Sequence, residues 1–179
     1  MEFVAILAGV AVFCILYPIS GSYRRYEAAK QLKKRLKALN FETSAEFSAE
    51  GADIYVDEKA GRWFVRTNLE SSIPNMHTAA EISYLELRES GNIIAEVIAG
   101  RPCRTPLFAD NSIRLPKNGR CTDFFLRIKT SGNQGDDIII SLLSSNVLRS
   151  SNEYKNALAR ARDIVRVFSA LAGSEIISQ

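Results

Sequence analysis

Hydrophobic and polar residues follow three successive patterns along the chain. Residues 3–19 are uncharged and mostly apolar, residues 23–40 place leucines and alanines at helical spacing among cations, and the remaining residues alternate in short runs. Such patterns are typical of a membrane span, an amphipathic helix and β-strands, in that order. They predict a transmembrane anchor over 1–22, a basic amphipathic juxtamembrane helix over 23–40, and a soluble β domain with a C-terminal helix over 41–179.

The uncharged run is long enough for a short transmembrane helix. Its seventeen residues rise about 25 Å as an α-helix, near the lower limit for a hydrocarbon core of about 30 Å. A cleaved signal peptide is the alternative, but Glu2 precedes the run where a cation is usual, and no small-residue cleavage site follows. We therefore expect an uncleaved anchor, in which the small-x-x-x-small spacing of Ala5 and Gly9 would permit self-association.

Charge orients this anchor. The first 40 residues hold seven Lys or Arg against two acids, and all seven cations follow the run. The positive-inside rule places such a segment in the cytoplasm, so the domain is expected on the cytoplasmic side of an inner or plasma membrane, with the short amino terminus exported. The predicted lipid- or partner-binding cations here are Arg24, Arg25, Lys30, Lys33, Lys34, Arg35 and Lys37.

The basic helix has two interpretations. Leucines and alanines recur on one face at Ala28, Leu32 and Leu36 while cations occupy the other, and a helix of this kind lies near anionic headgroups, to which each cation contributes about 1 kcal/mol. Alternatively, the cations only enforce topology or solvate a stalk. A nucleic-acid partner is not expected, because the remaining chain has no net positive charge.

Beyond residue 40 the chain predicts β-hairpins and one closing helix. Three pairs of alternating segments flank turn chemistry, including Gly61 and the dipeptide Ser90-Gly91. With a less regular strand over 41–47, about seven strands favour a mainly β, meandering antiparallel sandwich or barrel. The pairs are 53–56 with 62–67, 81–88 with 92–99, and 122–129 with 137–143.

An amphipathic helix follows the strands and should dock on the sheet. Ser150 and Glu153 have the spacing of a capping box, and Gly173 follows as a stop signal. The apolar face of this helix comprises Tyr154, Ala157, Leu158, Ala161, Ile164, Val165, Phe168 and Leu171.

The strand 53–58 (DIYVDE), which leads into its turn, and the helix opening 153–157 (EYKNA) carry a family resemblance. About seven strands followed by one helix resembles the pleckstrin-homology-like superfamily, and the chain is similar to bacterial single-pass proteins in which such a domain follows an anchor. The resemblance implies a binding module for phosphoinositides, peptides or other proteins, and it transfers no site residue.

The stretch 100–120 departs from that strand order and is expected to be an irregular loop. It holds three of the five prolines, and its five cations face one acid, Asp110. Long loops of this kind are often functional, so this one is a candidate surface for anionic headgroups or an acidic partner. The alternative is an ordinary solvated loop, with Leu107, Phe108 and Ile113 tucked under the sheet. The predicted binding cations are Arg101, Arg104, Arg114, Lys117 and Arg120.

Catalytic and metal chemistry are not expected. His77 lies in a connection between strands and is expected at the surface, and Cys103 and Cys121 lack the spacing of a zinc site. No cofactor is predicted. The sequence favours a membrane-anchored, non-enzymatic binding or scaffold module for a protein, a peptide or anionic headgroups, with homo-oligomers possible. The alternative is a periplasmic or surface-facing component of an envelope assembly, in which the two cysteines would be disulfide candidates.

Overall fold

The computed structural model describes residues 27–67, 75–108, 119–131 and 135–178. It divides the chain into two compact units, Met1–Phe41 and Glu42–Gln179. The predicted anchor over 1–22 lies outside the described residues. Within the described ranges, no helix combines the length and the hydropathy that crossing a membrane requires.

In the first unit, residues 27–38 form helix α1. The helix stops because Asn40 adopts a left-handed conformation (φ 49°), a conformation that asparagine tolerates better than most residues. The Phe41 N–H then donates to the Leu36 carbonyl at 2.9 Å and the Asn40 N–H to the Lys37 carbonyl at 3.2 Å. These two bonds form a Schellman motif, which satisfies the last carbonyl groups of the helix.

The second unit is mainly β with one helix near its carboxyl end, as predicted, and a short strand follows that helix. Two 3-10 turns, Ala79–Glu81 and Pro106–Phe108, interrupt its strands. Its elements in chain order are β1 (Ala45–Ala49), β2 (Ala52–Asp57), β3 (Arg62–Thr67), β4 (His77–Thr78), β5 (Ile82–Glu89), β6 (Asn92–Ile98), β7 (Cys103–Thr105), β8 (Arg120–Cys121), β9 (Phe124–Thr130), β10 (Asp137–Leu143), β11 (Val147–Leu148), helix α2 (Asn152–Leu171) and β12 (Ile176–Ser178).

The first sheet is an antiparallel meander in the order β1-β2-β3-β4. The turn between β2 and β3 is organised by Asp57, whose carboxylate accepts from the Ala60 N–H at 3.0 Å and from the Arg62 guanidinium at 2.9 Å. Gly61 supplies the positive φ (61°) that this turn requires. The predicted first hairpin is therefore confirmed.

The second sheet contains the other two predicted hairpins but is not a meander. Its order is β10-β9-β5-β6, with every pair antiparallel. Ser90 and Gly91 both have positive φ (48° and 80°), as a type I′ turn between β5 and β6 requires. After β6 the chain continues into β7, where the Thr105 hydroxyl donates to the Ile94 carbonyl at 2.9 Å. The chain then returns on the far side of β5, so β9 pairs with β5 instead of β6.

The stretch 100–120 is more regular than predicted, because short strands anchor both of its ends. Strand β7 pairs in parallel with β12, and β8 pairs antiparallel with β11. Cys103 and Leu107 are buried, and burial of Leu107 is what the alternative interpretation, an ordinary loop with apolar residues under the sheet, expected. Ile113 lies outside the described residues.

The predicted barrel is not closed. Between the described strands of the two sheets, one isolated bridge joins Glu50, at the end of β1, to Ser141 in β10, and its Glu50 N–H donates to the Ser141 carbonyl at 3.1 Å. Helix α2 covers the inner faces of the strands instead. Its Phe168 ring meets the Trp63 indole edge-on with centroids 5.2 Å apart, and both side chains are fully buried. The predicted docking of the helix through its apolar face is confirmed.

The helix is capped by Ser151 and not by the predicted Ser150. The Ser151 hydroxyl accepts from the Tyr154 N–H at 3.2 Å. The helix begins one residue later than the capping-box spacing indicated, and Gly173 (φ 64°) follows its end as predicted.

We expect Ser151→Ala to lower the free energy of unfolding by about 1 kcal/mol, because an N-cap acceptor is lost. The matched control Ser150→Ala should change it by less than about 0.5 kcal/mol, as exposed positions without such a bond do. Urea unfolding of the full-length chain in mild detergent, followed by circular dichroism, measures both. Equal effects of the two substitutions would contradict this capping assignment.

Candidate binding surfaces

Helix α1 separates its cations from its leucines. Leu32 and Leu36, one turn apart, are buried, whereas the described cations of the helix are all exposed. A helix that buries two residues at i and i+4 directs the remaining positions away from that face. Five of the predicted binding cations therefore share one exposed surface, which we call the α1 basic face: Lys30, Lys33, Lys34, Arg35 and Lys37. Arg24 and Arg25 lie outside the described residues.

Among the described residues, the predicted cations of the stretch 100–120 do not form a cluster. Arg101 is exposed in the turn after β6, and Arg104 lies in β7. Arg120 is held structurally in β8, where its guanidinium donates to the Asn146 side-chain oxygen and carbonyl, each at 2.7 Å. Arg114 and Lys117 lie outside the described residues. Arg120 therefore has a local partner that explains its position without a ligand.

A polar surface that the sequence reasoning missed covers the second sheet on the side away from its core. Side chains alternate between the two faces of a sheet, and the strand register places three side chains from each strand on this side. We call this surface the outer face of the second sheet. Its members are Ile93, Glu96 and Ile98 on β6, Arg88, Glu86 and Tyr84 on β5, Phe125, Arg127 and Lys129 on β9, and Ser141, Ile139 and Asp137 on β10.

The centre of the outer face is the carboxylate of Glu86. The Tyr84 hydroxyl donates to it at 2.7 Å and the Arg88 guanidinium at 2.8 Å, while Arg127 lies 3.7 Å away. These neighbours leave Glu86 only 2% exposed. Burial raises the pKa of Glu86, but the hydrogen bonds from Tyr84 and Arg88 and the two guanidinium charges lower it by more, so the pKa lies below its ordinary value.

The outer face also carries two exposed isoleucines. Ile139 on the outermost strand is 63% exposed and Ile93 on the opposite edge strand is 49% exposed. Between them, Arg127 forms a second ion pair, in which its Nε donates to the Asp137 carboxylate at 2.7 Å. Alternating polar residues at 84, 86, 88 and at 127, 129 were the sequence signal for this face. This alternation predicted strands, but it did not predict which charged side chains would form ion pairs across neighbouring strands.

A second polar cluster lies where β8 and β11 meet the end of β5. The buried Glu89 carboxylate accepts from the Arg149 guanidinium at 2.6 Å. Beside it, burial raises the pKa of the Cys121 thiol, and the charge of Glu89 adds to the rise. Cys121 and Cys103 are both buried and free. The cluster connects the short strands β8 and β11 to the second sheet.

The expectation that His77 lies at the surface is wrong. It is 8% exposed, and its ring stacks on the Trp63 indole with centroids 4.6 Å apart. Its Nδ1 lies 3.3 Å from the Glu81 carboxylate and its Nε2 lies 3.6 Å from that of Asp136. The sequence separation of 59 between His77 and Asp136 hid this arrangement, which joins β4 to the segment before β10.

Within the ranges that the structure describes, no group of three or more His, Cys, Asp or Glu side chains is placed to hold a metal ion. No protein-family model, curated protein or solved structure matches the chain.

Because Glu86 has a lowered pKa in the folded protein, its ionised form stabilises the fold above its ordinary pKa, and this contribution is lost as pH falls. We expect Glu86→Gln to lower the free energy of unfolding by about 1–3 kcal/mol at pH 7. The difference from the wild type should shrink as pH falls below about 4, where the unfolded carboxyl group protonates. Urea unfolding at several pH values measures it.

The matched control is Glu58→Gln, at an exposed position in the turn between β2 and β3, away from the Glu86 network. It should change stability by no more than about 0.5 kcal/mol at either pH. A pH-independent effect of Glu86→Gln would refute the ionised network.

Proposed function

We propose that the chain is a membrane-anchored, non-enzymatic binding module that faces the cytoplasm. Its α1 basic face binds anionic lipid headgroups, and its second unit, Glu42–Gln179, which we call the β unit, presents a surface to a protein partner beside the membrane. The observation that carries the proposal is the segregation on α1, where five cations are exposed while Leu32 and Leu36 are buried.

The position of α1 in the chain supports lipid binding. Helix α1 is described from residue 27, five residues after the proposed anchor ends, and five extended residues span at most about 18 Å. The start of the helix is therefore held near the headgroups, where each cation contributes about 1 kcal/mol to binding an anionic surface. The attraction decays over a Debye length of about 8–10 Å, so it is sensitive to salt.

A pleckstrin-homology-like relationship belongs to the proposal. Antiparallel sheets followed by one C-terminal helix support it, and such an architecture suits a scaffold for binding. The insertion of β7 and β8 between β6 and β9 departs from an uninterrupted succession of strands. The proposal therefore assigns the class of binding module and no family binding site.

The cytoplasmic orientation of the proposal rests on the positive-inside rule, applied to the seven cations that follow residue 22. Anchoring then raises the effective concentration of the β unit toward other membrane-held proteins.

Amine-reactive labelling of the full chain tests the lipid contact. After reconstitution in anionic rather than neutral vesicles, we expect several-fold slower labelling of Lys30, Lys33, Lys34 and Lys37, because headgroups cover the α1 basic face. Lys155, exposed on α2, is the internal control and should be labelled equally in both. Molar salt should remove the difference. Equal labelling of the α1 lysines in both vesicles would refute headgroup binding.

A carboxyl-terminal reporter tests orientation. We expect a fusion whose activity requires the cytoplasm to be active and a fusion that requires the exterior to be silent, because the cations after residue 22 are retained inside. The reverse result would favour the periplasmic or surface-facing alternative.

A further inference from the structure

Strand β10 lies at one edge of the second sheet. Among the described strands its sheet neighbour is β9, and the bridge from Glu50 meets it only at Ser141. The segment 137–140, which precedes this bridge, therefore has one side without a described strand. We call this segment the β10 edge.

The backbone direction along the β10 edge follows from two hydrogen bonds. The Thr130 N–H donates to the Asp136 carbonyl at 3.0 Å, so even-numbered positions turn their backbone groups toward β9. The Glu50 N–H donates to the Ser141 carbonyl, so odd-numbered positions turn theirs away from β9. Because both backbone groups of a strand residue point to the same side, Asp137 and Ile139 direct theirs to the open edge.

The side chains leave this edge unprotected. Natural edge strands are commonly blocked by lysine, proline or a bulge, whereas residues 137–140 are Asp-Ile-Ile-Ile, and the irregularity of β10 falls after them, between Ser141 and Leu143. Ile139 is the most exposed large hydrophobic side chain of those described, at 63%. Asp137 is the one charge on the segment, and Arg127 of the same copy pairs with it.

We propose that two copies of the chain pair antiparallel along the β10 edge, about a two-fold axis at Ile138. Asp137 of each copy then lies opposite Ile139 of the other. The two β sheets become one continuous eight-stranded sheet, and both copies use the same patch, as an isologous dimer requires.

The bridge to Glu50 selects this register. Pairing about Ile138 makes two hydrogen-bonded pairs, each joining Asp137 of one copy to Ile139 of the other and exchanging both backbone bonds. Pairing about Ile139 would instead place Asp137 opposite Ser141, whose carbonyl already accepts from Glu50. The register about Ile138 uses backbone groups for which the described residues provide no partner.

Charge complementarity favours a second copy as the occupant. Within each copy, Ile139 lies beside Arg127 and Asp137 beside Lys129. In the proposed register, each row of side chains across the interface therefore contains Arg127 and Ile139 of one copy, followed by Asp137 and Lys129 of the other. Each aspartate lies between cations of both copies, and no like charges are directly opposite each other, which would destabilise a strand pair.

Site-specific crosslinking tests the register in the detergent-solubilised full chain with Cys14→Ser. Ile138 of the two copies would form a non-hydrogen-bonded pair, with Cα atoms about 4.5 Å apart, within the range of a disulfide. We expect Ile138→Cys to give a covalent dimer under mild oxidation. Ile93→Cys, an exposed isoleucine on the other edge strand, is the control and should stay monomeric. Failure of Ile138→Cys to crosslink, or equal crosslinking of both variants, would overturn the proposal.

Analytical ultracentrifugation of variants that keep all native cysteines measures dimerisation and gives a second test. Ile139→Glu should weaken the dimer by about tenfold or more, because it places a carboxylate directly opposite Asp137 of the other copy, twice about the axis, while Ile93→Glu should not. Unchanged dimerisation of Ile139→Glu, a monomeric wild type, or a foreign polypeptide seated on β10 in place of a second copy would each refute the proposal. Because detergent contains no anionic lipid, these results are independent of headgroup binding by α1.

Discussion

The contact between Trp63 and Phe168 connects the parts of the β unit. Trp63 belongs to the first sheet and Phe168 to helix α2, and their fully buried rings meet edge-on. The other buried residues of α2 join the same core as the inner residues of the second sheet. Since the helix covers both inner faces, the sheets need only one bridge between them. The open edges and the exposed outer face are consequences of this arrangement.

The acids and cations of the chain have different roles. Asp57, Glu86 and Glu89 are buried acids of the β unit, and each is held by an arginine on its own or a neighbouring element. Those acids are used for structure, as is Arg120. The cations of α1, in contrast, are exposed on one surface. The cations of α1 therefore expose the excess positive charge of the first 40 residues to solvent. The three acids of the β unit, in contrast, are buried and paired with arginines.

Local chemistry explains which parts of the fold were predictable. The turns at Gly61 and Ser90-Gly91 need positive φ, a property of single residues, and the hairpins around them were predicted correctly. The apolar spacing of α2 was equally visible. The strand order of the second sheet could not be predicted, because it depends on where β7 packs after β6. The burial of His77 depends on Trp63 and on Asp136, far along the chain, and the cap at Ser151 depends on a shift of one residue. The α1 basic face could be predicted from the helical spacing of its residues. The outer face of the second sheet could not, because identifying it required the strand register.

Hydrogen–deuterium exchange of the full chain in lipid nanodiscs tests most directly whether the chain binds an anionic membrane surface through α1. The account predicts that backbone amides of residues 27–38 exchange more slowly in anionic than in neutral nanodiscs, that molar salt removes the difference, and that amides of α2 exchange equally in both. Identical exchange of residues 27–38 in the two lipid compositions would contradict it.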